Sequence, residues 1–159
     1  MQVLYGIEAN FIIEEVPEFI EFIANKTELF DYRQRIFFFE KKEHAEYAKG
    51  ALIEAGLFEE SLKAYYIESG VKGETFDDFG IEMETGYYLF SELLCLFSIT
   101  HGSEEEIQMA KYQFQEHIVF TAKNNSSAPV YFSELHLREL INGIADAYDI
   151  QVSFLDLDK

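Results

Sequence analysis

The sequence predicts an α+β fold, or an α/β fold, built as a single compact domain over residues 1–159. We expect a mixed β-sheet of about four to five strands with four to five helices. Three observations lead to this prediction: the length of 159 residues suits one domain, 48% of the residues are hydrophobic, and strand and helix patterns alternate along the first half. No Gly- or Ser-rich linker divides the chain.

The first half shows the alternation of strands and helices most clearly. Strands are predicted at residues 2–7, 33–39 and 62–67, and helices at 17–25 and 43–55. Pro17 favours the first position of a helix, because its missing N–H and fixed φ cost nothing there. Four consecutive large apolar residues from Ile36 to Phe39 indicate a strand that is buried on both faces. The second helix carries a stripe of alanines and should have Gly56 as its C-cap.

The second half has a less regular pattern. Residues 68–84 should form a loop because glycines and acids cluster there, and residues 85–99 should form a helix by their length and composition. The capping box Ser103-x-x-Glu106 predicts a helix that starts after Ser103, with a strand at about 112–121 as the alternative. A surface loop at 123–129, a helix capped by Ser133 and running to Tyr148, and a strand at 150–154 complete the order.

The charge balance restricts the function of the chain. Asp and Glu number 30 and Lys and Arg 12, which gives a formal net charge of −18. The excess is spread evenly, with −9 on residues 1–80 and −9 on residues 81–159. A protein with this charge repels nucleic acid and anionic membranes. Direct phosphate binding is therefore excluded as its main function, and a basic protein is the expected partner.

The sequence also indicates a compartment. Cys95 is the single cysteine and lies in an apolar run, which predicts a buried thiol and suits a reducing environment. The longest apolar stretch, residues 87–99, is too short to span a bilayer. No basic leader precedes Glu8, so no signal peptide is expected. We expect a soluble, cytoplasmic protein.

Motifs for catalysis or metal binding are missing from the sequence. The four histidines, His44, His101, His117 and His136, do not show H-x-x-x-H or H-E-x-x-H spacing, and neither phosphate-binding glycine motif is present. Residues 74–84 contain enough acids to supply calcium ligands, but the EF-hand pattern is absent. With 30 acids, a pair of neighbouring carboxylates carries no specific signal. We therefore expect no catalytic residue, no metal and no cofactor.

Three acidic clusters are the candidate partner-binding sites. We expect a partner to contact the carboxylates by electrostatic attraction and nearby aromatic rings by burial of apolar area. The candidate acids are Glu14, Glu15, Glu18 and Glu21 in the first cluster, Glu68, Glu74, Asp77, Asp78, Glu82 and Glu84 in the second, and Glu104, Glu105 and Glu106 in the third. The candidate aromatic contacts beside the second cluster are Phe76, Phe79, Tyr87 and Tyr88.

The size and charge of the chain are similar to those of small acidic inhibitors. These include phage or plasmid anti-restriction proteins, anti-CRISPR proteins, and immunity proteins that neutralise basic nuclease toxins. The stretch Tyr65-Tyr66-Ile67-Glu68, followed by Gly70-x-x-Gly73-Glu74, resembles a segment of acidic plasmid anti-restriction proteins. The resemblance implies a non-enzymatic DNA mimic that binds a restriction or CRISPR effector.

Other functions remain open from the sequence. An immunity protein would differ mainly in the identity of its partner, a nuclease toxin. A small carboxylate- or metal-dependent enzyme would be stabilised by its metal. A structural or assembly subunit would sediment as a stable multimer, and a homodimer is compatible with the composition.

Overall fold

The computed structural model describes residues 1–123 and 128–157. Its contacts divide the chain into two compact units, Gln2–Tyr65 and Tyr66–Lys159, the latter together with Met1. Helices and antiparallel sheets occur in comparable amounts, so the predicted α+β class is confirmed. The expectation of one mixed sheet of about four to five strands is wrong, because the described residues form two antiparallel sheets with eleven strands. Every helix in the two described ranges is too short or too polar to cross a membrane.

The described ranges contain four α-helices and eleven strands. The helices are Pro17–Lys26 (α1), Lys42–Glu54 (α2), Glu104–Phe114 (α3) and Arg138–Ala147 (α4). The strands are Gln2–Ala9 (β1), Leu29–Arg33 (β2), Ile36–Phe39 (β3), Phe58–Ile67 (β4), Gly70–Lys72 (β5), Gly80–Met83 (β6), Gly86–Phe90 (β7), Leu94–His101 (β8), Ile118–Ala122 (β9), Val130–Glu134 (β10) and Gln151–Leu155 (β11).

The first unit is a sheet with its strands in the order β2-β3-β1-β4, on which α1 and α2 pack. β3 is central and antiparallel to both β1 and β2. All four residues of β3 are buried, as their unbroken apolar run predicts. Ala45, Ala48 and Leu52 of the predicted face of α2 are buried against the sheet, whereas Ala55, its fourth residue, follows the helix and is exposed.

The end of α2 is a Schellman motif. Gly56 has a φ of 71°, the N–H of Leu57 donates to the carbonyl of Leu52, and the N–H of Gly56 donates to the carbonyl of Ile53. The prediction that Gly56 caps this helix is therefore confirmed. Since glycine lacks a Cβ, it adopts this left-handed conformation without steric cost.

The second unit contains a five-stranded antiparallel sheet in the order β11-β8-β10-β9-β5. A cross-strand row on one face joins Val71, Thr121, Tyr131, Phe97 and Phe154. α3 and α4 cover the middle of this face, where a core forms around Phe97 and the buried side chains of both helices. In the same unit, β6 and β7 form an antiparallel hairpin.

Several elements of the second half differ from the prediction. Residues 85–99 were expected to form a helix, but they form β7 and most of β8, separated by the 3₁₀ helix Ser91–Leu93. Aromatic and β-branched residues pack well on a pleated surface, and this preference prevails over the length of the segment. The expected loop at 68–84 contains β5 and β6, short strands that form only because longer strands pair with them.

The end of the chain requires a further correction. Ser133 does not cap a helix; it lies in β10, and its hydroxyl donates to the carbonyl of His117 over 2.6 Å. The last helix starts at Arg138 instead. Both alternatives at 104–121 hold in part, because α3 ends at Phe114 and β9 begins at Ile118. Of the predicted loop at 123–129, residues 124–127 lie outside the described residues.

We predict that Asp149→Gly stabilises the protein. Asp149 follows α4 with a φ of 56°, and the N–H of Ile150 donates to the carbonyl of Ala145 in the Schellman pattern. Glycine removes the steric cost of the left-handed conformation, so the free energy of unfolding in urea should rise by about 0.5–1 kcal/mol. Asp146→Asn is the control for loss of charge beside the helix C-terminus, because Asp146 is exposed in the last turn of α4 and has helical backbone. A gain from Asp146→Asn equal to that from Asp149→Gly would contradict the backbone explanation.

Candidate acidic binding surface

The second of the two units carries most of the negative charge. Residues 66–159 hold 17 acids and 5 bases, a net charge of −12, whereas residues 1–65 hold 13 acids and 7 bases, a net charge of −6. Residues 73–110 contain nine acids and no Lys or Arg. The charge is therefore even between residues 1–80 and 81–159 but uneven between the two folded units.

We use the name acidic surface for Glu68, Glu74, Asp77, Asp78, Glu82 and Glu84, all of which are exposed. They follow one another along the strands and turns between the end of β4 and the β6–β7 hairpin, in a single unit. Glu84 lies at the tip of that hairpin, where Met83 pairs with Gly86. The fold therefore keeps all six carboxylates of the second predicted cluster in water.

Lys72 is the single base between Glu68 and Glu84 in the sequence. Its ammonium group forms an ion pair with Glu82, which joins β5 to β6. The hydrogen bond with Glu82 raises the pKa of Lys72 above its ordinary value, and the charge of Asp77 adds to the effect. Lys72 therefore remains charged at neutral pH and compensates one carboxylate of the six, so that five remain in excess.

Backbone hydrogen bonds fix the turn that carries Asp77 and Asp78. The N–H of Gly73 donates to the carbonyl of Val119 over 2.8 Å, which attaches the start of the turn to β9. Within the turn, the N–H of Asp78 donates to the carbonyl of Thr75 over 3.0 Å. The N–H of Phe90 then donates to the carbonyl of Phe79 over 2.9 Å, which attaches its end to β7. The two aspartates are thus presented from a backbone held at both ends.

Phe76 anchors this turn from below. Its ring is 2% exposed and lies 5.8 Å from the rings of both Tyr87 and Phe120. The expectation that Phe76 and Tyr88 contact a partner is therefore corrected, since both side chains are buried. Phe79 and Tyr87 are half-buried and expose part of their rings. Hydrophobicity alone could not distinguish core rings from surface rings in this segment.

A cleft of about 910 Å³ lies beside the acidic surface in the same unit. Val71, Thr121 and Tyr131 of the cross-strand row lie along it, Tyr112 belongs to α3, and Glu74 of the acidic surface also lines it. Val71 is 50% exposed and Tyr112 is 64% exposed. The cleft offers apolar contact area next to the carboxylates. The sequence had instead predicted Phe76, Phe79, Tyr87 and Tyr88 as the source of this area.

The third cluster has a structural role that accounts for its position. Glu104, Glu105 and Glu106 form the first turn of α3, where negative charge stabilises the helix dipole. Ser103 accepts a hydrogen bond from the N–H of Glu106 over 3.2 Å, which confirms the capping box. Glu104 and Glu105 are exposed, whereas Glu106 is half-buried and accepts a hydrogen bond from the Ser103 hydroxyl.

The first cluster lies in the other unit. Glu14 and Glu15 end the 3₁₀ helix Phe11–Glu15, and Glu18 and Glu21 follow on α1. All four side chains are exposed. Glu18 also lines an apolar groove of this unit, which is described below.

The groups that could carry out catalysis are dispersed or buried. Within residues 1–123 and 128–157, no group of three or more His, Cys, Asp or Glu side chains could hold a metal ion. His44 accepts a hydrogen bond at Nδ1 from the N–H of Glu28. Cys95 is buried, its thiol donates to the carbonyl of Glu134 over 3.6 Å, and burial raises the pKa of the thiol. At neutral pH this cysteine is therefore a weak nucleophile.

Comparisons with protein-family models, with curated proteins and with solved structures gave no match. Charge, burial and geometry are consequently the properties from which a function can be inferred. Among them, the acidic surface and its adjoining cleft combine exposed charge with exposed apolar area in the second unit.

We predict that Gly73→Ala destabilises the turn that carries the two aspartates. A Cβ at residue 73 would lie 2.0 Å from the carbonyl oxygen of Ile118, so the backbone must shift. Overpacking of this kind costs about 1–3 kcal/mol, measurable by urea unfolding. Gly143→Ala in α4 is the control, because a Cβ there meets no atom within 4 Å and should stabilise the helix. Equal stability of the two variants would contradict the close approach at Gly73.

We also predict that Cys95 reacts slowly with a thiol reagent in the folded protein. Burial raises the pKa of the thiol, so less thiolate is present at pH 8. Labelling by Ellman's reagent should be at least roughly tenfold slower in buffer than in denaturing urea. Equal rates in the two solutions would show an accessible, reactive cysteine and would favour an enzyme.

Proposed function

We propose that this protein is an acidic, non-enzymatic inhibitor. It binds a basic protein that handles nucleic acid and blocks the surface on which that protein holds phosphates. The observation that carries the proposal is the acidic surface, whose six carboxylates are all exposed, in a unit of net charge −12.

Electrostatic attraction gives such a surface its selectivity. A groove lined by Lys and Arg attracts a negative surface from a distance and raises the association rate, and the effect falls with ionic strength. A fixed set of carboxylates can therefore compete with the regular phosphates of a nucleic-acid backbone. The hydrogen-bonded turn at Asp77 and Asp78 supports this competition, because carboxylates held in place lose little entropy on binding.

The cleft supplies the apolar part of the interface. Exposed charges contribute mostly to rate and specificity, whereas affinity comes from a few well-buried anchor residues. Val71 and Tyr112 are the exposed apolar side chains that a partner could cover while its basic residues contact Glu74 and its neighbours. The proposed interface thus combines both contributions within the second unit.

The partner class that this chemistry favours is a nuclease of host defence, such as a restriction or CRISPR effector, in the cytoplasm. An immunity protein would use the same surface against a nuclease toxin. The identity of the captured partner distinguishes these two forms of the proposal.

Capture from a bacterial lysate tests the proposal. The tagged protein is incubated at low salt, bound proteins are eluted with duplex DNA or with high salt, and both eluates are identified by mass spectrometry. A nucleic-acid-binding protein that is released by DNA supports the proposal. Failure of DNA to release any basic partner would contradict it and would favour an enzyme or an assembly subunit.

We predict that neutralising the acidic surface weakens capture. The variant carries Glu74→Gln, Glu84→Gln, Asp77→Asn and Asp78→Asn, and it leaves Glu82 as the partner of Lys72. The affinity should fall at least about tenfold at low salt, since rate and attraction both depend on these charges.

The matched control removes the same charge elsewhere in the second unit. It carries Glu92→Gln, Glu139→Gln, Asp146→Asn and Asp149→Asn, all at exposed positions. Equal weakening by both variants would show that net charge alone matters and that the acidic surface is not the site. Circular dichroism of each variant verifies the fold.

A further inference from the structure

An apolar groove of about 520 Å³ opens on the first unit. Six apolar side chains line it, from the 3₁₀ helix Phe11–Glu15, from α1, and from the residues after α2. Ile12 and Phe22 lie on its walls and are each 42% exposed. Phe11 and Ile53 lie one and two residues before the groove residues Ile12 and Ala55 in the sequence, and both side chains are more exposed than Ile12 and Phe22. Clustered exposure of large apolar side chains around a concave site marks an interaction surface.

The groove is formed before any partner binds. Asn10 caps the 3₁₀ helix by accepting a hydrogen bond from the N–H of Ile12 over 3.0 Å. The N–H of Val16 donates to the carbonyl of Ile13, and the N–H of Phe19 donates to the carbonyl of Val16, so the two helices follow one another without a mobile link. Pro17 at the start of α1 fixes the angle between them. A partner therefore meets a preformed site.

Charge determines the kind of partner that fits. Glu18 lines the groove one helical turn before Phe22, and Glu14, Glu15 and Glu21 are exposed on the same two helices. Residues 10–25 contain these four acids and no Lys or Arg. An occupant must therefore offer an apolar side chain for the groove and positive charges around it.

We propose that this groove binds an amphipathic, basic segment of a partner protein, with an apolar anchor against Ile12 and Phe22 and Lys or Arg beside Glu18. A helix with an apolar face and basic flanks has this chemistry. The site is separate from the acidic surface of the second unit and does not depend on the partner's handling of nucleic acid.

A second copy of the chain is a poorer occupant. A symmetric contact through the groove would bring Glu18 and its acidic neighbours of one copy against the same residues of the other. Each copy carries a net charge of −18, so the two surfaces repel one another. An anionic membrane is disfavoured for the same reason.

A peptide titration followed by NMR of the full-length protein tests the inference. The probe is a synthetic helical peptide with Leu on one face and Lys on the other. One control peptide replaces every Leu by Ser, and the other replaces every Lys by Glu. The Leu/Lys peptide should shift the backbone signals of residues 12–22 and 55–57, with at least tenfold higher affinity than either control. Signals that move only at residues 68–84, or equal affinity for the Ser/Lys peptide, would overturn the inference.

Variants separate this site from the acidic surface. Ile12→Ser and Phe22→Ser, made singly, should each lower the affinity of the Leu/Lys peptide for the groove at least tenfold. Met109→Ser and Leu135→Ser change exposed apolar residues of the second unit and should leave the affinity of this peptide unchanged. Glu18→Gln should reduce the salt dependence of binding without disturbing the fold, because Glu18 is exposed.

Two further results distinguish the alternatives. The four-residue variant of the acidic surface should bind the Leu/Lys peptide at the groove as the unchanged protein does, so failure of the proposed function leaves this inference standing. Sedimentation should show a monomer at concentrations used for NMR. A dimer that Phe22→Ser dissociates would overturn the inference in favour of a second copy.

Discussion

The carboxylates in the described ranges all remain in contact with water, and this constraint governs how the chain folds. No Asp or Glu in the described ranges is buried, although the chain contains 30 of them. Burial of an unpaired carboxylate would cost several kcal/mol, and 12 bases are too few to pair with all of them. Stability therefore comes from apolar burial, for which large rings such as Phe37, Phe97 and Phe120 provide the area.

The same constraint couples the core to the candidate site. Buried and exposed side chains are neighbours along the chain, as in Phe76 and Asp77 or Ile81 and Glu82. Each buried ring or aliphatic side chain fixes the position of an adjacent carboxylate, so the acidic surface is supported by the core beneath it. The rigid core beneath the acidic surface is important for the proposed function, because a preorganised surface competes better with the regular backbone of a nucleic acid than a flexible acidic segment does.

The sequence was sufficient where local chemistry determines the structure. The apolar run at β3, the end of α2 at Gly56 and the capping box at Ser103 were all predicted from their own residues and are confirmed. The sequence was insufficient where pairing with other strands determines the secondary structure, as in β7 and β8. The β2–β3 turn also escaped prediction, since Gln34 and Arg35 both have positive φ, a conformation that Asn and Gly normally signal. The acids of the site were identified from composition, but the cleft and the groove depend on tertiary packing.

Competition between this protein and DNA for one partner tests whether the protein occupies the partner's nucleic-acid surface. The affinity of the captured partner for duplex DNA is measured at a series of concentrations of the protein and at two salt concentrations. We expect the apparent Kd for DNA to rise linearly with the concentration of the protein, without saturation, and the effect to weaken at high salt. An apparent Kd that does not change, or that reaches a plateau, would contradict occupation of the nucleic-acid surface.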